Sequence, residues 1–98
     1  MKLYLDDTRP APSGWVLCRW PNEVIDHIKS GNVEEISLDH DLGDDDRGTG
    51  YDVLRWLEEQ VFNDPGFPVP VIHIHTGNPV ARKKMAMAVY MINRRISE

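Results

Sequence analysis

A chain of 98 residues, 41% hydrophobic and 28% charged, has room for one small globular domain, and folding at this size buries only roughly 60–65% of the unfolded surface. Its formal net charge of −5 leaves no broad basic face for an extended nucleic-acid duplex, but it permits a small anionic ligand held locally. One cysteine, Cys18, excludes an internal disulfide and reads as a small buried hydrophobe, and no apolar run approaches the ~18 residues of a membrane span.

The start, MKLYLDDTRP, turns acidic after five residues and so lacks the apolar stretch of a signal peptide; a cytoplasmic protein with no membrane partner is expected. KLYL, from Lys2 to Leu5, reads as a buried strand ending in Asp6 and Asp7. TRPAPSG follows as a loop, because two prolines and a glycine in seven residues oppose regular structure. WVLCRW, Trp15 to Trp20, is a short second strand. PNEVIDHIKSGN places Val24, Ile25 and Ile28 on one face, with Pro21 near the start and Gly31 as the residue that ends a helix of two to three turns.

EEISLD is the next strand, followed by an acidic loop. TGYDVLRWLEEQVF then has Leu54, Leu57 and Val61 at helical spacing, and Thr49 with Asp52 three residues on forms a capping-box-like start. VPVIHIH, Val69 to His75, reads as a further buried strand. The last helix takes Asn78 as its N-cap and Pro79 at its first position, with Met85, Ala88, Val89, Ile92 and Ile96 as its apolar stripe. Strands alternating with helices predict an α/β domain spanning 1–98: a small, mostly parallel sheet of three to four strands with three helices on its faces.

Ligands of such sheets bind outside the carboxyl ends of the strands. Those ends read Asp6-Asp7, Asp39-His40-Asp41 and His75-Thr76, so each core strand finishes in ionisable or hydroxyl groups directed at one crevice. Two or three carboxylates from different strands make a hard oxygen site suited to Mg2+ or Mn2+, ions that bridge phosphate oxygens. The competing reading is that each strand-end aspartate caps its own turn. Arg82, Lys83 and Lys84 lie in the first two turns of the last helix, where the dipole disfavours cations and an anion is welcome. Arg82, four residues after the Asn78 cap, is the candidate to reach a phosphate; Arg9 on the proline-rich loop is a second clamp, unless it pairs with Asp7.

His75 at its strand end is a candidate general acid or base. His73, two residues deeper on the same face, reads chiefly as a core histidine, and His40 alternates away from Asp39 and Asp41. Five aspartates fall between Asp39 and Asp46, but the calcium-loop pattern fails: its sixth position is Asp44 and its twelfth Gly50, where glycine and glutamate are required. Asp39 and Asp41 therefore read as site wall, and Asp44, Asp45 and Asp46 as a solvated rim. No phosphate-binding G-x-x-x-x-G-K-[ST] loop, G-x-S-x-G elbow or H-E-x-x-H motif is present.

LYLDD, ISLDHDLG, TGYDVLRWLEE and VPVIHIHT together resemble the receiver domain of two-component signalling, a flavodoxin-like fold. The fuller set, KLYLDDTRP, SLDHDLG, TGYDV and HTGNPV, resembles a compact receiver-like family named for cyclic-phosphate processing. That likeness covers roughly Lys2 to Ile96. It implies Asp6 and Asp7 as a metal-holding pair, Asp39 as the counterpart of the phosphoacceptor, Asp41 where a backbone carbonyl helps hold the metal, and Gly50 as the glycine opening the helix. His75 stands where a receiver has its hydroxyl residue, with Thr76 one position later. The expected departures are the absence of a helix after the first strand and of a last β-α unit with its lysine.

Three functions follow. The first is an enzyme that opens or hydrolyses a cyclic phosphate on an RNA end or nucleotide, with Mg2+ or Mn2+ held by Asp6, Asp7, Asp39 and Asp41. In it Arg9, Asn78 and Arg82 grip the phosphate and His75 moves a proton, with His40, His73 and Thr76 as further candidates. Whether Asp39 attacks covalently or binds the ion is open. The second is a degenerate receiver that accepts phosphate on Asp39. The third is a silent binding module using Trp15, Trp20 or Trp56.

Overall fold

Leu3 and Leu5 are fully buried while Lys2 and Tyr4 are not, and this period of two decides what faces what across the sheet. The computed structural model describes residues 1–97. Its elements are β1 (Lys2–Leu5), β2 (Val16–Cys18), α1 (Pro21–Ser30), β3 (Glu35–Leu38), α2 (Gly50–Asn63), β4 (Val71–Ile74) and α3 (Pro79–Ile96). All pairings are parallel, in the order β2-β1-β3-β4, which makes a receiver-like α/β fold.

The three helices that flank the sheet all lie on one of its faces. The connections β2–α1–β3 and β3–α2–β4 progress in the same direction across the sheet, and right-handed crossovers of one direction lay their helices on one side. α3 packs on α2 and β4, which completes a single layer. Leu3, Leu5, Ile36 and Leu38 point into that layer and join Val24, Ile28, Val53, Leu54, Leu57, Met85 and Ile92 in one apolar cluster. The β1-to-β2 connection runs the opposite way, so the same handedness carries it over the other face. There it is a loop, with no helix, and its Pro12 and Trp15 stand over Tyr4, Ser37 and His73.

Helix ends follow the local chemistry. Gly31 takes a left-handed φ of +94° and ends α1. At α2, Thr49 Oγ1 accepts from the Tyr51 N–H at 3.2 Å, and Asp52 Oδ2 accepts from the Thr49 N–H at 2.8 Å, the reciprocal box its sequence suggests. Asn78 Oδ1 accepts from the N–H groups of Val80 and Ala81, both at 3.1 Å, with Pro79 at the first position of α3. Cys18 is buried against the helices, and that burial, with the nearby Glu23 charge, pushes its thiol up to about 11. Among the described residues no helix is long and apolar enough to cross a membrane.

Two strands are shorter than read. WVLCRW contributes only Val16–Cys18, and VPVIHIH only Val71–Ile74. Pro68 and Pro70 withhold two backbone donors ahead of β4. β4 is an edge strand and not a buried one: Ile72 and Ile74 pack inward while Val71 and His73 stay exposed. Ile96, expected in the apolar stripe of α3, is exposed.

Candidate active site

Asp6, Asp39 and His75 each come one residue after their strand, on the parity that faces away from the helices. The register pairs Leu5 with Leu38 and Leu38 with Ile74, so the three residues that follow form a row. Backbone bonds extend that row, from Asp39 N–H to the Leu5 carbonyl and from His75 N–H to the Leu38 carbonyl, both at 3.0 Å. One donor atom from each of the three side chains lies within 4.8 Å of the other two.

Asp6 is 1% exposed, and both its oxygens are hydrogen-bonded. Its Oδ1 accepts from the N–H groups of Thr8 at 2.9 Å and Arg9 at 3.0 Å, and its Oδ2 meets His75 Nε2 at 2.9 Å. Burial alone would raise its pKa, but the Arg9 and Thr8 amides and His75 outweigh it and hold the carboxyl below its ordinary 3.8. The native state therefore binds fewer protons here than the unfolded chain. The stability gained is complete above the unfolded pKa and is lost as pH falls through the lowered native value. Urea midpoints of the parent and of Asp6→Asn should accordingly differ more at pH 7 than at pH 2; an equal difference at both would show that the Asp6 charge contributes nothing to folding.

His75 is held on three sides. Its Nδ1 lies 2.7 Å from Ser37 Oγ, and the Tyr4 ring stacks on it at 4.2 Å with 3° between planes. An ionised Asp6 only accepts hydrogen bonds, so the neutral imidazole carries its proton on Nε2 and Ser37 donates its hydroxyl to Nδ1. Arg9 closes the site from outside: Nη1 donates to the His75 carbonyl at 2.8 Å and lies 3.9 Å from Asp6 Oδ2. Its charge partner is Asp6 and not Asp7.

The other acids lie apart. Asp7 has the opposite parity to Asp6, and its Oδ2 and Arg19 Nη2 flank Gly43. Asp41 is exposed; it bonds His40 Nδ1 at 2.7 Å and receives Asn78 Nδ2 at 3.4 Å, and the His40 bond leads the effects that lower its pKa. Asn78 is thus spent on the α3 cap and on Asp41. Arg82 donates to the Thr76 carbonyl at 2.9 Å, and the buried Thr76 hydroxyl accepts from the Asn78 N–H at 3.2 Å. Lys84 sits 4.0 Å from the Tyr51 ring centroid, and Lys83 is exposed. His73 is not a core residue: its side chain is 49% exposed and bonds Glu35 Oε2 at 2.7 Å. Asp44, Asp45 and Asp46 are exposed, as a solvated rim requires.

Two backbone features set the geometry. His40 N–H donates to Asp39 Oδ1 at 2.8 Å and fixes that carboxylate. At Gly50 the start of α2 comes so close to β3 that a Cβ would collide with the Asp39 carbonyl oxygen. Ser37, Tyr4 and Arg19 escaped the sequence reading. The alternation of Leu3, Tyr4 and Leu5 against Ile36, Ser37 and Leu38 is the signal that puts the first two beneath His75. Arg19, whose Nη1 donates to the Leu42 carbonyl and whose guanidinium lies over Trp20, has no such pattern.

A family model described as the cyclic-phosphate processing Receiver domain matches residues 1–91. No curated protein and no solved structure matches the chain.

Proposed function

The chain belongs to the cyclic-phosphate processing receiver domains, and we propose that it hydrolyses a cyclic phosphodiester at Asp6, Asp39 and His75, assisted by a divalent cation. The observation that carries this reading is the convergence of three strand-end groups within 4.8 Å, on a face free of helices, with the Arg9 guanidinium beside them. Asp6 and Asp39 would hold the ion, and their oxygens suit Mg2+ or Mn2+. A bound ion supplies Lewis-acid polarisation of a phosphoryl oxygen.

The protein's own groups account for the protons. Water adds to phosphorus as one ring P–O bond breaks. The Asp39 carboxylate takes the proton of the attacking water, and His75, entering as the imidazolium, gives its Nε2 proton to the departing ring oxygen, so a cyclic diester and water become a phosphomonoester. Both residues then return to their starting protonation by exchange with solvent. Arg9 brings positive charge next to the anionic ring. Ser37 and Tyr4 keep the ring in one orientation: Ser37 Oγ accepts Nδ1–H in the imidazolium and in the neutral ring left after the transfer, and the Asp6 carboxylate stabilises the imidazolium.

His75 Nε2 cannot carry this proton and bind an ion together. All-oxygen donors accept Mg2+ and Mn2+ alike, whereas a set including imidazole favours Mn2+ over Mg2+. The test is a panel of 2′,3′-cyclic nucleotides and RNA oligomers with 2′,3′-cyclic ends, assayed in EDTA, Mg2+ and Mn2+. Turnover is expected with either ion and little in EDTA. Activity with Mn2+ alone would move His75 into the ligand set. No turnover anywhere, or a stable phosphoryl label on Asp39 from acetyl phosphate in its place, would overturn the enzyme reading in favour of a phosphoacceptor.

A further inference from the structure

The β1-to-β2 loop does not lie flat on the bare face of the sheet. Between the two is a slot of about 360 Å³, within the size range of small-ligand sites, lined by Tyr4, Pro12, Trp15, Glu35, Ser37 and His73. We propose that this slot receives the base of a nucleotide whose cyclic phosphate occupies the Asp6–Asp39–His75 site; the inference rests on the hydrolase reading and narrows its substrates to base-bearing cyclic phosphates.

Continuity is the first argument. Two slot residues touch the imidazole of the site, Ser37 through its hydroxyl at 2.7 Å and Tyr4 through its stacked ring at 4.2 Å. Ser37 and His73 are each two residues before Asp39 and His75 on their strands. One pleat repeat, roughly 6.6 Å, therefore separates the row of the slot from the row of the site. A sugar ring is the kind of spacer that bridges such a gap.

The chemistry of the walls is the second. Trp15 meets Tyr4 and His73 edge-on, with ring centroids 6.3 Å apart in both cases and planes at 82° and 65°. Three rings thus offer π-faces and edges in one notch, the environment in which bases stack. The polar groups between them are hydrogen-bonding partners for a base edge: the Glu35 carboxylate, the His73 imidazole and the Ser37 hydroxyl. Glu35 is itself steadied by His73 at 2.7 Å and by Lys2 Nζ at 3.7 Å. An aliphatic ligand would use the polar floor and waste the rings.

The third argument is the placement of the lid. Trp15 is held over the face by a turn in which its N–H donates to the Pro12 carbonyl at 3.0 Å, and Gly14 supplies the left-handed φ of +86°. Lys2 Nζ lies 5.8 Å from the Trp15 ring centroid on this same face.

The test compares 2′,3′-cyclic nucleotides with ethylene phosphate, which has the same five-membered phosphate ring and no base. The parent protein should prefer the nucleotide in kcat/KM by tenfold or more. In Trp15→Ala that preference should fall by about tenfold to a hundredfold, the range of base stacking on an aromatic side chain, and Trp15→Phe should recover part of it. A purely structural Trp15 would lower both substrates alike and leave their ratio unchanged, which would overturn the proposal; so would a parent protein that treats the two equally. Should neither be turned over, the hydrolase reading fails separately, and the slot is judged by titrating a nucleoside 3′-monophosphate while following NMR signals. Movement at Trp15, Tyr4 and His73 upholds the slot, and shifts confined elsewhere or absent reject it.

Discussion

Asp39→Asn should lower kcat for a cyclic phosphate by about 10²–10⁴-fold, the usual worth of a positioned proton acceptor. The fold should survive, with Tm moving by less than about 4 °C, the equivalent of ~1 kcal/mol at this size. Asparagine has the same shape, and its Oδ1 can still accept the His40 N–H that orients Asp39 at 2.8 Å. The substitution also removes one of two buried negative charges set side by side, so any stability change has no reason to be a large loss. Turnover measured beside a thermal melt checks both halves. Activity retained within a few-fold would remove Asp39 from the chemistry, and a collapse in Tm would make it a structural residue instead.

Gly50→Ala should do the reverse and damage the fold first. The added methyl meets the Asp39 carbonyl oxygen and sits 2.9 Å from its carbonyl carbon and 3.1 Å from Met85 Cε. Only the methionine can yield; the other two atoms are backbone at the end of β3. Either α2 backs away from the sheet, opening the cluster around Val53 and Leu54, or the Asp39 peptide is displaced together with its carboxylate. Overpacking against backbone belongs at the upper end of its range, about 3 kcal/mol, which at this size is a Tm loss of about 12 °C or more. Gly77→Ala is the matched control, because a Cβ there meets nothing within 4 Å. If the two variants melt alike, the close approach of α2 is not what holds Asp39 in position.

Much of the fold is legible because its signals are local. Thr49 with Asp52, Asn78 with Pro79, and Gly31 after an apolar stripe each announce a helix end through hydrogen bonds or backbone angles made within four residues. The strand-end rule points to Asp6-Asp7, Asp39-His40-Asp41 and His75-Thr76, since ionisable side chains that finish apolar runs are conspicuous. It takes the structure to bring Asp6, Asp39 and His75 together out of that set. What stays hidden depends on register and on which side the helices take. Asp6 and Asp7 are equivalent as adjacent letters and separate only when Leu3 and Leu5 point into the helix layer. Ser37 looks like an ordinary polar residue inside EISL until β3 and β4 align it with His73, one pleat below His75. His73 reads as core because its neighbours are isoleucines. An edge strand on a bare face leaves it in the open, where it meets Glu35 from the next strand.

Helices on one side alone divide the labour of the strands by residue parity. Leu3, Leu5, Ile36, Leu38, Ile72 and Ile74 serve the apolar core, whereas Tyr4, Ser37, Asp39, His73 and His75 lie outside it and Asp6 adds to stability only through its charge and hydrogen bonds. Side chains of the second group can change without any repacking of the first. A domain of this build can therefore acquire new ligand preferences by drift on one surface while its apolar core stays as it was, a freedom denied to a sheet sandwiched between two helical layers.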